Sequence, residues 1–191
     1  MRFLIITQDL HISGTSQGII ERSFLSKLRK VYPEAIIDVL YLSTSDQEDN
    51  LEILPVNSIV KKVISRNIPF HVKWINRVSR RFFNYLFSDN YIHNQFANHI
   101  KKIDHTLYDH IMVRSAGLNH ETVLAMYNLP ILKHTIVNFH DPYPYPWYKG
   151  DASKIDANQL KRLNKIIEIV SDAKACCASA YYMSKDLQYL F

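Results

Sequence analysis

The chain has 191 residues, of which 47% are hydrophobic, and a formal net charge of +5. This length and composition suit one domain with a proper core, and no apolar run is long enough for a membrane span or for a signal peptide. The only cysteines, Cys176 and Cys177, are adjacent, which excludes a disulfide framework and a cysteine zinc site and favours a cytoplasmic protein.

The positive charge is concentrated in one part of the chain. The stretch 56–105 contains nine Lys or Arg residues against two Asp residues, so the remainder of the chain is slightly acidic. Such asymmetry predicts one basic face and an anionic partner, which could be phosphate, nucleic acid or a membrane.

Strand and helix signals alternate along the chain. Strands are predicted at RFLIIT, AIIDVLYL, SIVKKVI, YDHIMVRS, HTIVNFH and AKACCASA. Helices are predicted from Ile19 to the Tyr32-Pro33 stop and near residues 70–87, 91–104, 119–128 and 154–171. Ser153 and Asp156 are expected to open the last of these helices as a capping-box variant. The alternation predicts an α/β fold: a doubly wound, mostly parallel sheet of about six strands with helices on both faces.

The loop after the first strand holds two glycines and three hydroxyl side chains before the first helix. Backbone amides and the helix dipole could bind an anion there. The loop matches neither the Walker loop nor the dinucleotide fingerprint, and the alternative is a simple turn in which Ser16 caps the helix. Its position at the exit of the first strand favours a binding role for Ser13, Gly14, Thr15 and Ser16.

The same residues, Gly14 to Gly18, also spell the Gly-x-Ser-x-Gly pattern of α/β-hydrolases. A nucleophile elbow sits directly at the end of a strand that earlier strands precede, whereas here polar residues intervene and nothing precedes the strand. A serine hydrolase using Ser16 therefore stays only as an alternative function.

The stretch KHTIVNFHDPYPYPWYKG begins as a buried strand and must stop near His140, because three prolines follow. Ligands of doubly wound sheets bind outside the carboxyl ends of the strands, so His140 and Asp141 should meet Arg114 and the glycine loop at one edge. The aromatic residues that follow, beginning with Tyr143, either pack on the domain or stack on a sugar ring. His134 lies too far along the strand to join His140 in a metal site, and no metal is expected.

The segment FHVKWINRVSRRFFNYLF has the strongest amphipathic pattern. On a helical projection Lys73, Arg77, Arg80 and Arg81 share one face, and apolar and aromatic residues share the other. The apolar face either packs on the sheet, or the helix lies at a membrane with its cations on anionic headgroups. No nucleic-acid-binding motif accompanies the charge, so nucleic acid is not expected as a partner.

The order of these features resembles the N-terminal domain of family 4-like glycosyltransferases of the GT-B type. The resemblance rests on the apolar first strand with SGTSQG, on YDHIMVRS and IVNFHDP, and on Ser179 before a helix with Lys185-Asp186-Leu187. It covers nearly the whole chain and implies a Rossmann-like domain. In this sequence Ser13-Gly14 stands where the family often has paired glycines, and Arg114 stands where a histidine is frequent.

The resemblance implies a retaining transfer of a sugar from a nucleotide-sugar donor to a glycan or lipid-linked acceptor, without a cofactor. It places the loop around Gly14 near the donor diphosphate or the acceptor, and His140 near the transferred sugar. From this and from the strand-end positions we expect His140 to be the catalytic residue and to hydrogen-bond the sugar, and Asp141 to position the loop. The expected substrate-binding residues are Ser13, Gly14, Thr15, Ser16, Arg114, Asp141 and Tyr143. The enzyme would be cytoplasmic, with attachment to the inner face of the membrane as an option.

The family binds its donor mostly through a C-terminal domain with two glutamates eight positions apart, and no two glutamates of this chain have that spacing. Residues 1–191 are therefore expected to form a single acceptor-side domain, with the nucleotide-sugar domain absent from this chain. Such a domain should fold but should not transfer sugar by itself. A non-catalytic membrane- or nucleic-acid-binding module is the remaining alternative.

Overall fold

The computed structural model describes residues 1–12, 15–47, 49–83, 86–117, 119–141 and 156–190. Its strands are β1 (Arg2–Thr7), β2 (Ile36–Ser43), β3 (Ser58–Val63), β4 (His110–Arg114), β5 (Thr135–Phe139) and β6 (Ala175–Ala178). They form one six-stranded sheet in the order β3-β2-β1-β4-β5-β6, and every neighbouring pair is parallel. The predicted doubly wound α/β architecture is confirmed.

Helices connect these strands and cover both faces of the sheet. They are α1 (Ser16–Val31), α2 (Phe70–Phe83), α3 (Phe87–Ile100), α4 (Glu121–Leu124), α5 (Ala157–Asp172) and α6 (Tyr181–Leu190). Short 3₁₀ turns occupy Leu51–Ile53, His105–Leu107 and Pro130–His134.

Helix α4 is much shorter than the helix predicted near residues 119–128. The amide of Met126 already bonds to the carbonyl oxygen of Val123, three residues back rather than four. Asn128 then adopts a positive φ of 59°, and Pro130 follows closely. A left-handed residue and a proline both prevent the helix from continuing.

Helix α5 begins with a capping box, although not the predicted one. The Asp156 carboxylate accepts hydrogen bonds from the amides of Asn158 and Gln159, and the Gln159 side chain accepts from the Asp156 amide. The box therefore joins Asp156 to Gln159. Ser153 lies outside the described residues.

The core has two halves, one on each face of the sheet. Leu4 and Ile6 of β1 face the half that packs against α3, α4 and α5, whereas Phe3 and Ile5 face the half that packs against α1 through Leu25. Successive strand residues point to opposite faces. A strand covered on both faces must therefore be apolar throughout, which explains the uninterrupted run RFLIIT.

Helix α2 leaves most of its apolar side chains in solvent. Val72 is its one buried residue among those described, whereas Phe70, Trp74 and Phe82 are 84%, 60% and 70% exposed. The interpretation in which the apolar face packs on the sheet is therefore wrong. Tyr85, near the end of the predicted amphipathic segment, lies outside the described residues.

Within the described ranges, none of the helices combines the length and the apolar character needed to cross a membrane.

Candidate functional site

Polar side chains gather at the carboxyl ends of the central strands. Thr7 ends β1 and is followed by Gln8 and Asp9, Arg114 ends β4, and His140 follows β5. The chain runs outward from β1 to β3 and then returns to place β4 on the other side of β1. Ligands of doubly wound sheets bind at such a switch point, between β1 and β4.

Helix α1 begins beside the switch point. Thr15 is its N-cap, and the Thr15 hydroxyl accepts a hydrogen bond of 3.2 Å from the Gly18 amide. The alternative in which Ser16 caps the helix is wrong, because Ser16 is the first helical residue. Ser13 and Gly14, the other predicted binding residues of this loop, lie outside the described part of the chain.

Gln17 joins the start of α1 to the end of β4. Its Oε1 accepts a hydrogen bond of 2.6 Å from the Gly117 amide, and its Nε2 donates to the Ser115 carbonyl oxygen at 2.7 Å. Both polar atoms of the amide are therefore used, which fixes the two segments that border the switch point.

Gly18 lets the loop after β1 lie directly against α1. A Cβ atom at this position would stand 2.2 Å from the carbonyl oxygen of His11 and 2.9 Å from Asp9 Oδ1. Arg22, one turn further along the helix, donates to the carbonyl oxygen of Leu10 at 2.8 Å. The glycine and the arginine together position the loop that carries Gln8, Asp9 and His11.

A buried charged cluster lies under α1. Arg114 Nε donates to Glu21 Oε2 at 2.5 Å, and the guanidinium lies 3.9 Å from the centre of the Phe24 ring. His140 Nε2 lies 2.9 Å from Arg114 Nη2 and 2.5 Å from Glu21 Oε1. The exposed fractions of the side chains are 1% for Glu21, 6% for Arg114 and 5% for His140. Arg114 is thus engaged within the protein.

His140 is also held from the side of β6. Its Nδ1 lies 2.8 Å from the Ser179 hydroxyl, and its amide donates to Ser115 Oγ at 2.9 Å. Ser179 Oγ is in addition 3.1 Å from the carbonyl oxygen of Phe139, to which it donates. Because the Ser179 hydroxyl donates its hydrogen to the Phe139 carbonyl oxygen, it can only accept from His140 Nδ1–H. This hydrogen bond helps to fix the orientation of the His140 ring from the side of β6.

A cavity of about 400 Å³ opens beside this cluster. Arg114, His140 and Ser179 line it together with Lys27 and the partly exposed apolar residues of α1. Asn138, which also lines the cavity, has an Oδ1 atom that no hydrogen-bond donor of the described residues satisfies. We call this space the His140 cavity.

A second space lies at the start of α1, between the ends of β1 and β4. This crevice has a volume of about 430 Å³. Its described lining residues are mostly polar, and they are Gln8, Asp9, His11, Thr15, Ser16, Gln17, Thr44, Arg66, Ala116, Gly117, Asn119 and Glu121. We call it the switch-point crevice.

The Glu121 carboxylate forms the inner wall of the switch-point crevice. Its Oε2 accepts a hydrogen bond from Gln8 Nε2 at 2.7 Å and forms an ion pair with Arg66 Nη2 at 2.8 Å. Glu121 is buried, whereas half of the Arg66 side chain is exposed. The carboxylate is therefore fixed from two sides.

His11 is oriented by a buried carboxylate from the loop after β2. Its Nδ1 lies 2.6 Å from Asp49 Oδ1, and Lys61 Nζ lies 2.9 Å from Asp49 Oδ2. Burial alone would raise the pKa of Asp49, but the hydrogen bonds from Lys61 and His11 outweigh it and hold the pKa below its usual range. Burial also raises the pKa of the neighbouring Tyr41 to about 12.

The predicted site residues therefore fall into two groups. His140 and Arg114 share the His140 cavity, whereas Thr15 and Ser16 line the switch-point crevice. Asp141 follows His140 and is half-buried. Tyr143 lies outside the described residues. All described candidates lie at the predicted edge of the sheet.

Sequence reasoning placed the loop after the first strand at this edge, but it did not name several polar residues of the edge as site residues. They are Gln8, Asp9, His11, Glu21, Arg66 and Glu121. Glu21 had a usable signal, because it precedes Leu25 and Leu28 at helical spacing and so belongs to the buried stripe of α1. Gln8 and Asp9 directly follow β1, which is itself a signal in a doubly wound sheet.

The geometry does not assemble a serine nucleophile at Ser16. The residues from Gln8 to Thr15 separate Ser16 from the end of β1, so it does not stand on a strand-end elbow. Within the described ranges, neither His11 nor His140 is hydrogen-bonded to Ser16, and the His140 ring nitrogens already face other partners.

No protein-family model matches the sequence, and no curated protein matches it. Among solved structures the chain is similar to one described as a UDP-N-acetylglucosamine 2-epimerase from Listeria monocytogenes, an assignment that is itself provisional. The TM-score is 0.53 at 12% sequence identity, and the match covers 98% of this chain and 42% of that chain. At this identity the likeness shows the fold alone: a Rossmann-like domain that spans less than half of the matched structure.

Proposed function

We propose that this chain is the acceptor-side domain of a retaining GT-B glycosyltransferase that moves a sugar from a nucleotide-sugar donor to a glycan or lipid-linked acceptor. The observation that carries the proposal is the pair of cavities at the carboxyl edge of the sheet, one lined by the start of α1 and the other by residues further along α1. The sequence resemblance supports it independently. The name of the matched structure, which refers to a nucleotide-sugar, is consistent with it.

In this proposal the His140 cavity receives the sugar that is transferred. Glu21 and Arg114 enclose Nε2 of His140, and the Ser179 hydroxyl faces Nδ1, so a sugar hydroxyl would reach His140 by replacing the Ser179 hydroxyl at Nδ1. Lys27 and the Arg114–His140 cluster supply positive charge at this edge, which would favour a departing diphosphate. A second Rossmann-like domain would bind the nucleotide and close the other wall of the cleft.

The test is steady-state transfer by the full-length enzyme, meaning a protein that contains this chain and such a second domain. We expect His140→Ala to lower kcat at least about tenfold, since the change removes a contact to the reacting sugar. The buried ring is bonded to its neighbours, so the variant should also lose about 1–3 kcal/mol of stability.

Two companion variants separate the role in turnover from the loss of stability. Ser179→Ala leaves the imidazole in place and should have a small effect on folding, whereas Arg22→Ala removes the bond to the Leu10 carbonyl oxygen and leaves the hydrogen bonds of His140 unchanged. If His140→Ala, measured below its unfolding temperature, turns over as fast as the wild type, His140 is not the catalytic residue.

We also propose that α2 attaches the protein to anionic membrane surfaces. The cations Lys73, Arg77, Arg80 and Arg81 adjoin a solvent-exposed aromatic stripe that includes Trp74 and Phe82. Aromatic side chains favour the headgroup region and cations favour anionic lipid. This would suit an enzyme whose acceptor is lipid-linked.

A further inference from the structure

The switch-point crevice has an unusual balance of hydrogen-bonding groups. Two carboxylates, Asp9 and Glu121, line it, and Arg66 is the one Lys or Arg among its described lining residues. The fixed charge of the described lining is therefore net negative when His11 is neutral. Negative charge opposes the approach of a phosphate or diphosphate.

The atoms of this lining that are not already bonded are mainly acceptors. Asp9 uses Oδ1 to accept from the His11 amide at 3.0 Å, and within the described ranges no donor is bonded to its other oxygen. Glu121 uses Oε2 for both Gln8 and Arg66, which leaves Oε1. In the neutral His11 ring, Nδ1–H donates to Asp49 Oδ1, and Nε2 is left as an acceptor.

Gln8 adds an independent observation. The residue is 8% exposed, it lines the crevice, and its Oε1 has no hydrogen-bond partner within the part of the chain that the structure describes. A buried amide oxygen without a donor costs free energy, so a ligand or water that supplies a donor hydrogen is favoured there.

We propose that the switch-point crevice binds the hydroxyl groups of an uncharged sugar or similar polyhydroxylated ring through Gln8, Asp9 and Glu121. Hydroxyl groups donate to these oxygens, whereas a phosphate brings acceptors and like charge. This inference rests on the proposed function and makes it more specific. The part of the acceptor substrate that receives the sugar is a neutral hydroxylated ring, and the diphosphate of the donor binds outside this crevice.

The inference can be tested by protein-observed NMR on the 191-residue chain, which needs no catalysis. The probes are methyl glycosides of glucose, galactose and mannose, and inorganic phosphate at matched ionic strength. We expect at least one glycoside to shift the amide signals around Asp9 and Glu121, and we expect phosphate to leave them unchanged.

The matched variants are Asp9→Asn and Asp46→Asn. Asn can keep the bond to the His11 amide while losing the charge, so Asp9→Asn should weaken glycoside binding about tenfold without unfolding the loop. Asp46 is exposed and outside the crevice, so its variant should bind like the wild type. Should Asp9→Asn disturb the spectrum broadly, Gln8→Met takes its place with the same expected loss, because it removes both the unpartnered amide oxygen and the hydrogen bond to Glu121.

Three results would overturn the inference. They are stronger shifts with phosphate than with any glycoside, no glycoside shift at these amides, and equal glycoside affinity in the wild type and the crevice variant. A phosphate-binding crevice would still be compatible with transfer to a phosphorylated acceptor, so the wider proposal would survive and be judged by the transfer assay.

Discussion

Glu21 is the residue that organises the buried half of the candidate site. Its carboxylate contacts both Arg114 and His140 from within a helix, and it is 1% exposed. A buried charge of this kind is tolerated because an opposite charge and hydrogen bonds surround it. The orientation of His140 therefore depends on a residue far away in sequence that carries no motif.

Removing the Glu21 carboxylate should lower the free energy of unfolding of the domain. Glu21→Ala leaves Arg114 as a buried charge without its partner, and we expect a loss of about 3–5 kcal/mol in the free energy of unfolding. Urea denaturation followed by circular dichroism measures it. The control is Glu34→Ala, an exposed glutamate that should change stability by less than about 0.5 kcal/mol. A loss no larger than that of the control would show that the cluster is not an energetic unit.

His93 makes the stability of the domain depend on pH. Burial lowers the pKa of His93 to about 4; Asp89 opposes this, and Lys165 and Arg162 add to it. The unfolded chain takes up a proton near pH 6.5 and the folded chain does not, so stability is full above that pH and is lost as the pH falls towards 4. The loss should reach about 3 kcal/mol.

The measurement for His93 is a series of urea denaturations between pH 7.5 and about pH 4. We expect His93→Gln to flatten the decline between pH 6.5 and 4, the interval between the unfolded and folded pKa values. His71→Gln, at an exposed position of α2, should retain the wild-type decline. If the stability of His93→Gln declines with falling pH as much as that of the wild type, other titrating groups cause the decline.

At the level of the elements, the strands followed from the sequence more closely than the helices. A strand buried on both faces must be apolar throughout, and RFLIIT begins and ends where β1 does. Helix α4 ends at Leu124, and the left-handed conformation of Asn128, which no periodic pattern encodes, prevents the helix from resuming. The amphipathic pattern of α2 showed which side chains share a face but could not show whether anything covers that face.

The exposed stripe of α2 should bind acidic vesicles. We expect the chain to sediment with vesicles rich in anionic lipid at low salt and to dissociate as salt rises, because each lysine or arginine contact is screened. Arg77→Gln with Arg80→Gln should weaken this binding and its dependence on salt. Trp74→Ala should weaken binding but keep the salt dependence, since it removes only apolar contact.

Lys101→Gln with Lys102→Gln is the matched control for α2, because it removes two exposed charges outside the helix. Equal sedimentation with neutral vesicles would contradict the electrostatic part of this account. Equal losses in the two double variants would mean that general positive charge, and not α2, is responsible.

At the level of the whole molecule, the sequence predicted the edge of the sheet at which the candidate site lies. It did not predict the contacts between residues inside that site. Alternating strands and helices place every strand end at one edge, which brought His140 and Arg114 together as expected. The bonds from Gln8 to Glu121 and from Arg114 to Glu21 join residues 113 and 93 positions apart. Such pairs depend on register and packing across the sheet, which no local pattern contains.

The central claim is that this domain supplies one wall of a sugar-transfer site. The direct measurement is the transfer of labelled sugar from a panel of nucleotide-sugars to glycan and lipid-linked acceptors, assayed in parallel for residues 1–191 and for the full-length enzyme. We expect transfer by the full-length enzyme and none by the isolated chain, because positioning and charge stabilisation must come from both walls of a cleft. Robust transfer by residues 1–191 alone, or no transfer by the full-length enzyme with any donor, would contradict the account.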